Sequence, residues 1–422
     1  MTNQRHWVGI PRASFPLNLK NIRHFQVQTL FSALFNRIAS AFGKTLLIML
    51  VTVVLVECVL RVSMFFPWNS PRQIPDPDIG FRMRPNIPNI LYPNEMLNSA
   101  GFNDLEHSRI KPQGTVRLAI IGDSFVYGVV PRPANFTSVI QRLANDSGKK
   151  IEVLNMGIPG AGPKNDQGLV GKDAIDMQAD MVGIVLFLGN DLLQAHPDFE
   201  TRIWLGTTHE VLVRPYLLGW SEHYLSVYRA LHVLSRLLNE KFKGNQEGTF
   251  SKESFLEIES QKAGFFETKP SAFVLDSYSS IIEITRQMME SARKHGMAFF
   301  VVLAPDEMQV SKPLQMEVMQ TYGLRPDTHD FNLLSRNLAL DIEALGIPVL
   351  DLLPTFQANQ EKATLYAKQD THWNEAGNQL AGEAIWAFIN RRLLGQPAVQ
   401  KEHLPASSSP SNTPYPVHGE EN

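Results

Sequence analysis

The chain has 422 residues, 44% of them hydrophobic and 19% charged, with 27 glycines and 27 prolines. This excludes a coiled coil, a collagen-like chain and a wholly disordered protein, and leaves room for one large domain with appendages or for two domains. A net charge of −3 argues against a broad basic face for nucleic acid, and a single cysteine, Cys58, excludes an intramolecular disulfide and a cysteine-based zinc site.

The first 56 residues contain Arg5, Arg12, Lys20, Arg23, Arg37 and Lys44 but no acidic residue. An apolar run, TLLIMLVTVVLV, follows from Thr45 and continues past Glu57 to Phe66. At about 1.5 Å per helical residue, 45–66 is long enough to cross a hydrocarbon core of about 30 Å. Glu57 and Arg61 stand one turn apart and can pair on one helix face. The basic flank predicts that 1–44 stays in the cytoplasm and that the rest is exported, so the expectation is a single-pass inner-membrane protein with a periplasmic domain. A cleaved signal peptide fits poorly, because the leader is long and SMFFPW offers no small-residue cleavage site. A lipoprotein cysteine usually follows a small residue, whereas Glu57 precedes Cys58. A buried core helix remains the plain alternative.

Residues 67–111 are proline-rich and read as a linker and an extended arm laid on the domain surface. From 112 to 394 the pattern alternates. Short apolar runs at 116–121, 151–155, 182–188, 298–304 and 347–352 are separated by helical periodicity at 134–147, 276–295, 329–345 and 374–393. Continuous apolar strands between helices predict an α/β fold, a doubly wound five-stranded parallel sheet covered on both faces. An insertion at about 196–275 contains an amphipathic stretch, 222–243, read either as a substrate-side cap or as packing on the sheet edge. The tail 395–422 lacks periodic apolar residues and is expected to be disordered.

Ligands in such sheets bind beyond the carboxyl ends of the strands. The first strand ends in Gly122-Asp123-Ser124, where a serine hydroxyl would be exposed among backbone N–H groups that can stabilise an oxyanion; a simple helix cap is the other reading. The second strand ends in LNMGIPGAG, with Gly157 and Gly160 at the same edge, and the third in FLGND, where the Asn190 amide can donate to an oxyanion. After the last strand comes YAKQDTHWNEAG. His372 is the natural base for Ser124, and Asp370 can orient its imidazole. A second Asp-x-His, at His329, precedes a further strand and is therefore misplaced for this role. Asp191 reads as a turn residue, and Asp306 and Asp351 are the reserve orienting acids. No metal-ligand spacing and no phosphate loop is present, and the chemistry needs neither metal nor other cofactor.

Four ordered blocks, GDS at 122–124, the glycine at 157, GND at 189–191 and Asp370-x-His372, resemble the SGNH or GDSL hydrolases. The resemblance covers about residues 75–393. It implies Ser124 as nucleophile and His372 as base, with Ser124 N–H, Gly157 N–H and the Asn190 amide forming the oxyanion hole. Many members place the acid three residues before the histidine, where this chain has Gln369. The Asp-x-His-Trp form is similar instead to the branch containing the alginate O-acetylation proteins and other tethered members of polysaccharide loci, which implies partners in polysaccharide synthesis. LNSAGFND at 97–104 resembles a segment of those members in which an arginine usually stands at Asn103. The expected function is a membrane-anchored serine esterase or acyltransferase acting on O-acyl groups of a carbohydrate. The alternatives are a non-catalytic envelope component and a lipase-type esterase, for which Phe125, Tyr127 and the 222–243 stretch would supply apolar surroundings.

Overall fold

The computed structural model describes residues 19–213, 226–240 and 249–394. The tail 395–422, residues 1–18 and parts of the 222–243 stretch lie outside these. The chain divides into two units, Met1–Leu60 and Arg61–Asn422. The described part of the first unit, 19–60, is helical throughout and belongs to the helix Leu19–Ser63. Within its segment Leu34–Ser63 the most apolar 18-residue window has a mean hydropathy of 2.4, and only 11% of that window is buried. Among the described residues this is the one helix long and apolar enough to cross a membrane. A core helix hides an apolar stripe; here Leu46, Leu47, Ile48, Met49 and Leu50 are all exposed. The helix stops at Ser63 rather than at the expected Phe66.

In the second unit the strands are, in chain order, β1 (Gln73–Asp76), β2 (Gly80–Met83), β3 (Val116–Gly122), β4 (Ile151–Gly157), β5 (Met181–Phe187), β6 (Phe199–Trp204), β7 (Thr207–Leu212), β8 (Ala298–Ala304) and β9 (Val349–Asp351). Five form the expected parallel sheet, in the order β4-β3-β5-β8-β9. The chain runs outward from β3 to β4 and then back across β3 to β5. This reversal opens a crevice at the carboxyl ends of β3 and β5.

Strand alternation builds a core on each face. Leu118 and Ile120 of β3 point to one, with Ile140 of helix Phe136–Asp146 and Ile385 and Ile389 of helix Glu375–Arg392. Ala119 and Ile121 point to the other, with Leu169 of helix Pro163–Gly171, Ile281 and Met288 of helix Ala272–Lys294, and Leu338 of helix Leu333–Ala344.

The arm is not merely laid on the surface. β1 and β2 form an antiparallel ribbon, and Phe81, Met83, Leu97 and Phe102 are buried in the second core. Two arginines fasten it. Arg82 pairs with Asp76 at 2.6 Å and with Asp173 at 3.3 Å. The wholly buried Arg117 of β3 donates to Ser108 O at 2.8 Å and pairs with Glu152. Within the insertion, β6 and β7 form a hairpin and the amphipathic stretch contains the helix Ser226–Glu240.

Asp166, on helix Pro163–Gly171, is buried, and neither of its carboxyl oxygens meets a hydrogen-bond partner among the described residues. Burial, with the nearby Asp123 carboxylate, holds its pKa well above the ordinary carboxylate range. Below that range both folded and unfolded chains carry the proton and the group costs nothing. As pH rises the unfolded chain ionises first, and the folded state is increasingly penalised. Asp166→Asn should therefore raise Tm by a few degrees at pH 7 and by much less at pH 4, as read by calorimetry.

Candidate active site

Ser124 opens the four-residue helix Ser124–Tyr127 directly after β3. Asp123 caps that helix by accepting from Phe125 N–H at 2.8 Å. His372 lies in the loop before the last helix, and its Nε2 is 2.8 Å from Ser124 Oγ. Its other ring nitrogen, Nδ1, is 2.5 Å from Asp370 Oδ1. The same carboxylate oxygen accepts from His372 backbone N–H at 3.0 Å. This local bond explains why an acid two residues before the histidine can orient the ring. An ionised Asp370 keeps the proton on Nδ1 and leaves Nε2 as the acceptor facing the serine hydroxyl. Burial pushes the Asp370 pKa up, but the hydrogen bond and charge of His372 and the Thr249 hydroxyl outweigh it and bring the group below its ordinary value. Asp123 is held above its ordinary value, because burial outweighs the Phe125 N–H and the His372 charge.

The sequence D370-T-H-W-N374 has a division of labour that continues past the histidine. Trp373 is buried, packs edge-on against Phe125 at 4.9 Å between ring centroids, and lies tilted against Phe356 at 5.1 Å. Asn374 Oδ1 then accepts from Gly377 N–H at 3.0 Å and starts the helix Glu375–Arg392. Phe125 also stacks on Phe187 at 4.1 Å and lies 5.1 Å from the His372 ring. Phe125 and Tyr127 therefore face the core and do not form an apolar substrate surround.

The three expected oxyanion donors differ in their partners. Asn190 Nδ2 is 3.3 Å from Asp123 Oδ2, beside the capped serine turn. Ser124 stands at the first position of its helix. The Gly157 expectation is not met: its N–H donates to Asn155 Oδ1 at 3.0 Å. Gly157 is still inside β4, paired with Gly122, and a Cβ there would lie 2.0 Å from Tyr127 N. Its glycine is required by backbone approach, not by an oxyanion. Gly160, on the turn after the strand at φ +79°, has only Thr208 Cγ2 near its Cβ direction, at 3.5 Å.

The remaining sequence candidates are occupied elsewhere. His329 Nδ1 bonds within its own loop, 2.9 Å from Arg325 O. Asp191 Oδ2 accepts from Phe187 N–H at 2.7 Å and closes the Gly189-Asn190 turn. Asp306 pairs with Lys262 at 2.6 Å, and Asp351 accepts from Leu353 N–H and Ser335 Oγ. Gln369, at φ +52°, offers its carbonyl to Phe250 N–H. Asn103 is buried, donates to Tyr127 O at 2.8 Å and accepts from Arg132 Nε at 3.3 Å. The guanidinium expected at 103 thus arrives from residue 132. Thr249, which no motif flags, donates to Asp370 Oδ2 at 2.5 Å. Among the described residues no group of three or more His, Cys, Asp or Glu side chains could hold a metal ion.

Residues 276–412 match the family described as "SGNH hydrolase-like domain, acetyltransferase AlgX". That region contains the His372 block, while Ser124 and Asn190 lie upstream of it. No curated protein sequence matches the chain. Solved structures similar to it include a catalytic mutant of an acetylxylan esterase from Geobacillus stearothermophilus, at 13% identity, 69% of this chain, all of that one and a TM-score of 0.37. A lipase from a goat rumen metagenome aligns at 16% identity over 66% of this chain and all of its own, with a TM-score of 0.37. A member of the lipolytic G-D-S-L family from Veillonella parvula aligns at 13% identity over the same two shares, with a TM-score of 0.33. These overlays are loose, and the weight rests on the family match and on the chain's own sheet order and sequence blocks: in its C-terminal part the chain resembles the SGNH hydrolase-like domain of the AlgX acetyltransferase family.

Proposed function

We propose that the protein is a serine esterase or acyltransferase that works on O-acyl groups, foremost O-acetyl groups, of a carbohydrate or cell-surface polysaccharide. The observation that carries this reading is the continuous relay from Ser124 Oγ through the His372 ring to Asp370. A serine hydroxyl is a weak nucleophile until a base removes its proton. In the proposed reaction Ser124 Oγ attacks the acyl carbonyl as His372 Nε2 takes its proton. Ser124 N–H, the Asn190 amide and Gly160 N–H, in place of Gly157, face the oxyanion. His372 then protonates the departing alkoxide, leaving an acyl-Ser124. Water completes an esterase cycle; a sugar hydroxyl, giving its proton to His372, completes a transferase cycle. The AlgX match supports acetyl as the acyl group and a polysaccharide as the setting. The burial of Phe125 and Tyr127 weighs against a lipase, leaving the 222–243 stretch as the feature that would favour one.

We further propose that the Leu34–Ser63 helix anchors the protein in the inner membrane, with its basic N-terminal side in the cytoplasm and the hydrolase-like domain in the periplasm. A reporter enzyme active only outside the cytoplasm should work when fused after residue 393 and fail when fused near residue 40. The reverse pattern would invert the topology.

The chemistry is tested by labelling with a fluorophosphonate and by turnover of an activated acetyl ester. Ser124→Ala should abolish both, with a loss of several orders of magnitude and an unchanged Tm. His372→Ala should be as severe, and the double variant no worse than either, because the residues act as a unit. Asp370→Asn should lower turnover less than either, and Gln369→Ala should be nearly silent. Normal activity in Ser124→Ala would refute the assignment. Adding an oligosaccharide acceptor to the ester assay distinguishes the two cycles: a transferase yields acetylated oligosaccharide, an esterase only acetate.

A further inference from the structure

We propose that Thr249, supplied by the insertion between β5 and β8, is a positioning residue that pins the Asp370 carboxylate in the orientation His372 requires. The inference rests on the relay proposed above. Asp370 Oδ1 accepts from both the backbone and the ring of His372, and its other oxygen accepts from Thr249 Oγ at 2.5 Å. Asp370 is largely buried. Without a donor the second oxygen would be desolvated and unpaired, and the carboxylate could rotate to share its charge elsewhere. With the threonine hydroxyl in place, both oxygens are satisfied in one orientation only.

The placement of Thr249 is itself built in. Phe250 N–H donates to Gln369 O at 3.3 Å, so the two segments are joined at adjacent residues. Ser251 caps the helix Lys252–Lys262, accepting from Ser254 N–H at 3.2 Å. At the far end of that helix, buried Lys262 bonds Asp306 at 2.6 Å and Glu259 at 2.7 Å. The helix is therefore clamped to the carboxyl end of β8, and the hydroxyl two residues before its cap is held against the orienting acid. The insertion acts on the relay through Asp370, not through substrate.

The test uses the full-length chain in detergent, with Thr249→Val, which keeps the shape and loses the hydroxyl, and Thr249→Ser, which keeps the hydroxyl. The valine variant should lower both fluorophosphonate labelling at Ser124 and kcat for an activated acetyl ester by roughly tenfold, with KM within about twofold and Tm retained. The serine variant should recover most of the loss. In an Asp370→Asn background the valine change should cost nothing more, because its partner is already neutral. If the valine variant does not fold, Thr249→Ala against Thr249→Ser carries the same comparison. Wild-type labelling in the valine or alanine variant, failure of serine to rescue, or an undiminished penalty in the Asp370→Asn background would overturn the inference. A wild-type chain that is not labelled at Ser124 would instead refute the underlying relay.

Discussion

The site depends on keeping a single helical turn in place. Ser124–Tyr127 is four residues long, and one turn fixes several dihedrals for very little hydrogen bonding in return. Its last carbonyls have no continuing helix to satisfy them, and they are buried. Three asparagines from three elements supply the donors. Asn155 of β4 reaches Val126 O at 2.7 Å, and Asn135, the cap of helix Phe136–Asp146, reaches Val126 O at 3.1 Å. Asn103 of the arm reaches Tyr127 O at 2.8 Å. Asn135 also reaches Tyr127 O, at 3.3 Å, so each of the two buried carbonyls has two amide donors, and an aspartate or leucine at any one position removes a donor from a carbonyl that water cannot reach. The position of the serine is thus held by side chains that bond the carbonyls behind it.

The base must then be brought to that serine from 248 residues away in sequence. Aromatic packing does this. Phe125, next to the serine, and Trp373, next to the histidine, meet in the core below the site. Neighbours in sequence are forced to be neighbours in space, so fixing the Phe125–Trp373 contact leaves the serine and histidine side chains little choice but to face each other on the solvent side. Phe187 stacks on Phe125 from the end of β5 and ties the Gly189-Asn190 turn to the same cluster. One aromatic nucleus therefore registers two strand ends and the loop that carries the histidine.

What could be read from the sequence follows from how local each signal is. The five strands and four of the covering helices were legible because apolar runs and helical periods are properties of contiguous residues; the short helix Pro163–Gly171 was not. Ser124, His372 and Asp370 were legible because each sits at a predictable place after a strand, and the structure brings them within hydrogen-bonding reach. The choice between Gly157 and Gly160 was not, since it depends on where β4 ends: one glycine still lies within the ladder against Tyr127, and the other lies on the turn. The arginine missing at 103 could not be located by scanning that segment, because Arg132 supplies the guanidinium from the far side of the serine helix. The arm read as a surface strap because proline obscures its period, although Phe81 and Phe102 are core residues. Thr249 belongs to no motif at all. Its role exists only because the insertion folds back onto residues 369–370.

That fold-back is secured by a buried ionic cluster whose charge balance makes the insertion integral to the domain. Burial pushes the Glu259 carboxyl well up, helped by the Asp306 charge, so this acid keeps its proton. For Asp306 burial acts the same way, but the Lys262 charge and hydrogen bonds outweigh it and keep the carboxylate ionised. Glu307 beside it is pushed up to about 8, by burial first and then by the Asp306 charge, so it too is neutral at pH 7. The cluster therefore holds one ammonium, one carboxylate and two neutral acids. A close buried pair of this kind adds little stability over an apolar replacement, but separating it strands a charge in the core at about 3–5 kcal/mol. Lifting the helix Lys252–Lys262 away from the sheet would do that to Asp306. The helix that follows Thr249 is thus tied to the carboxyl end of β8 by a buried charge pair, and this tie sets Thr249 behind the orienting acid.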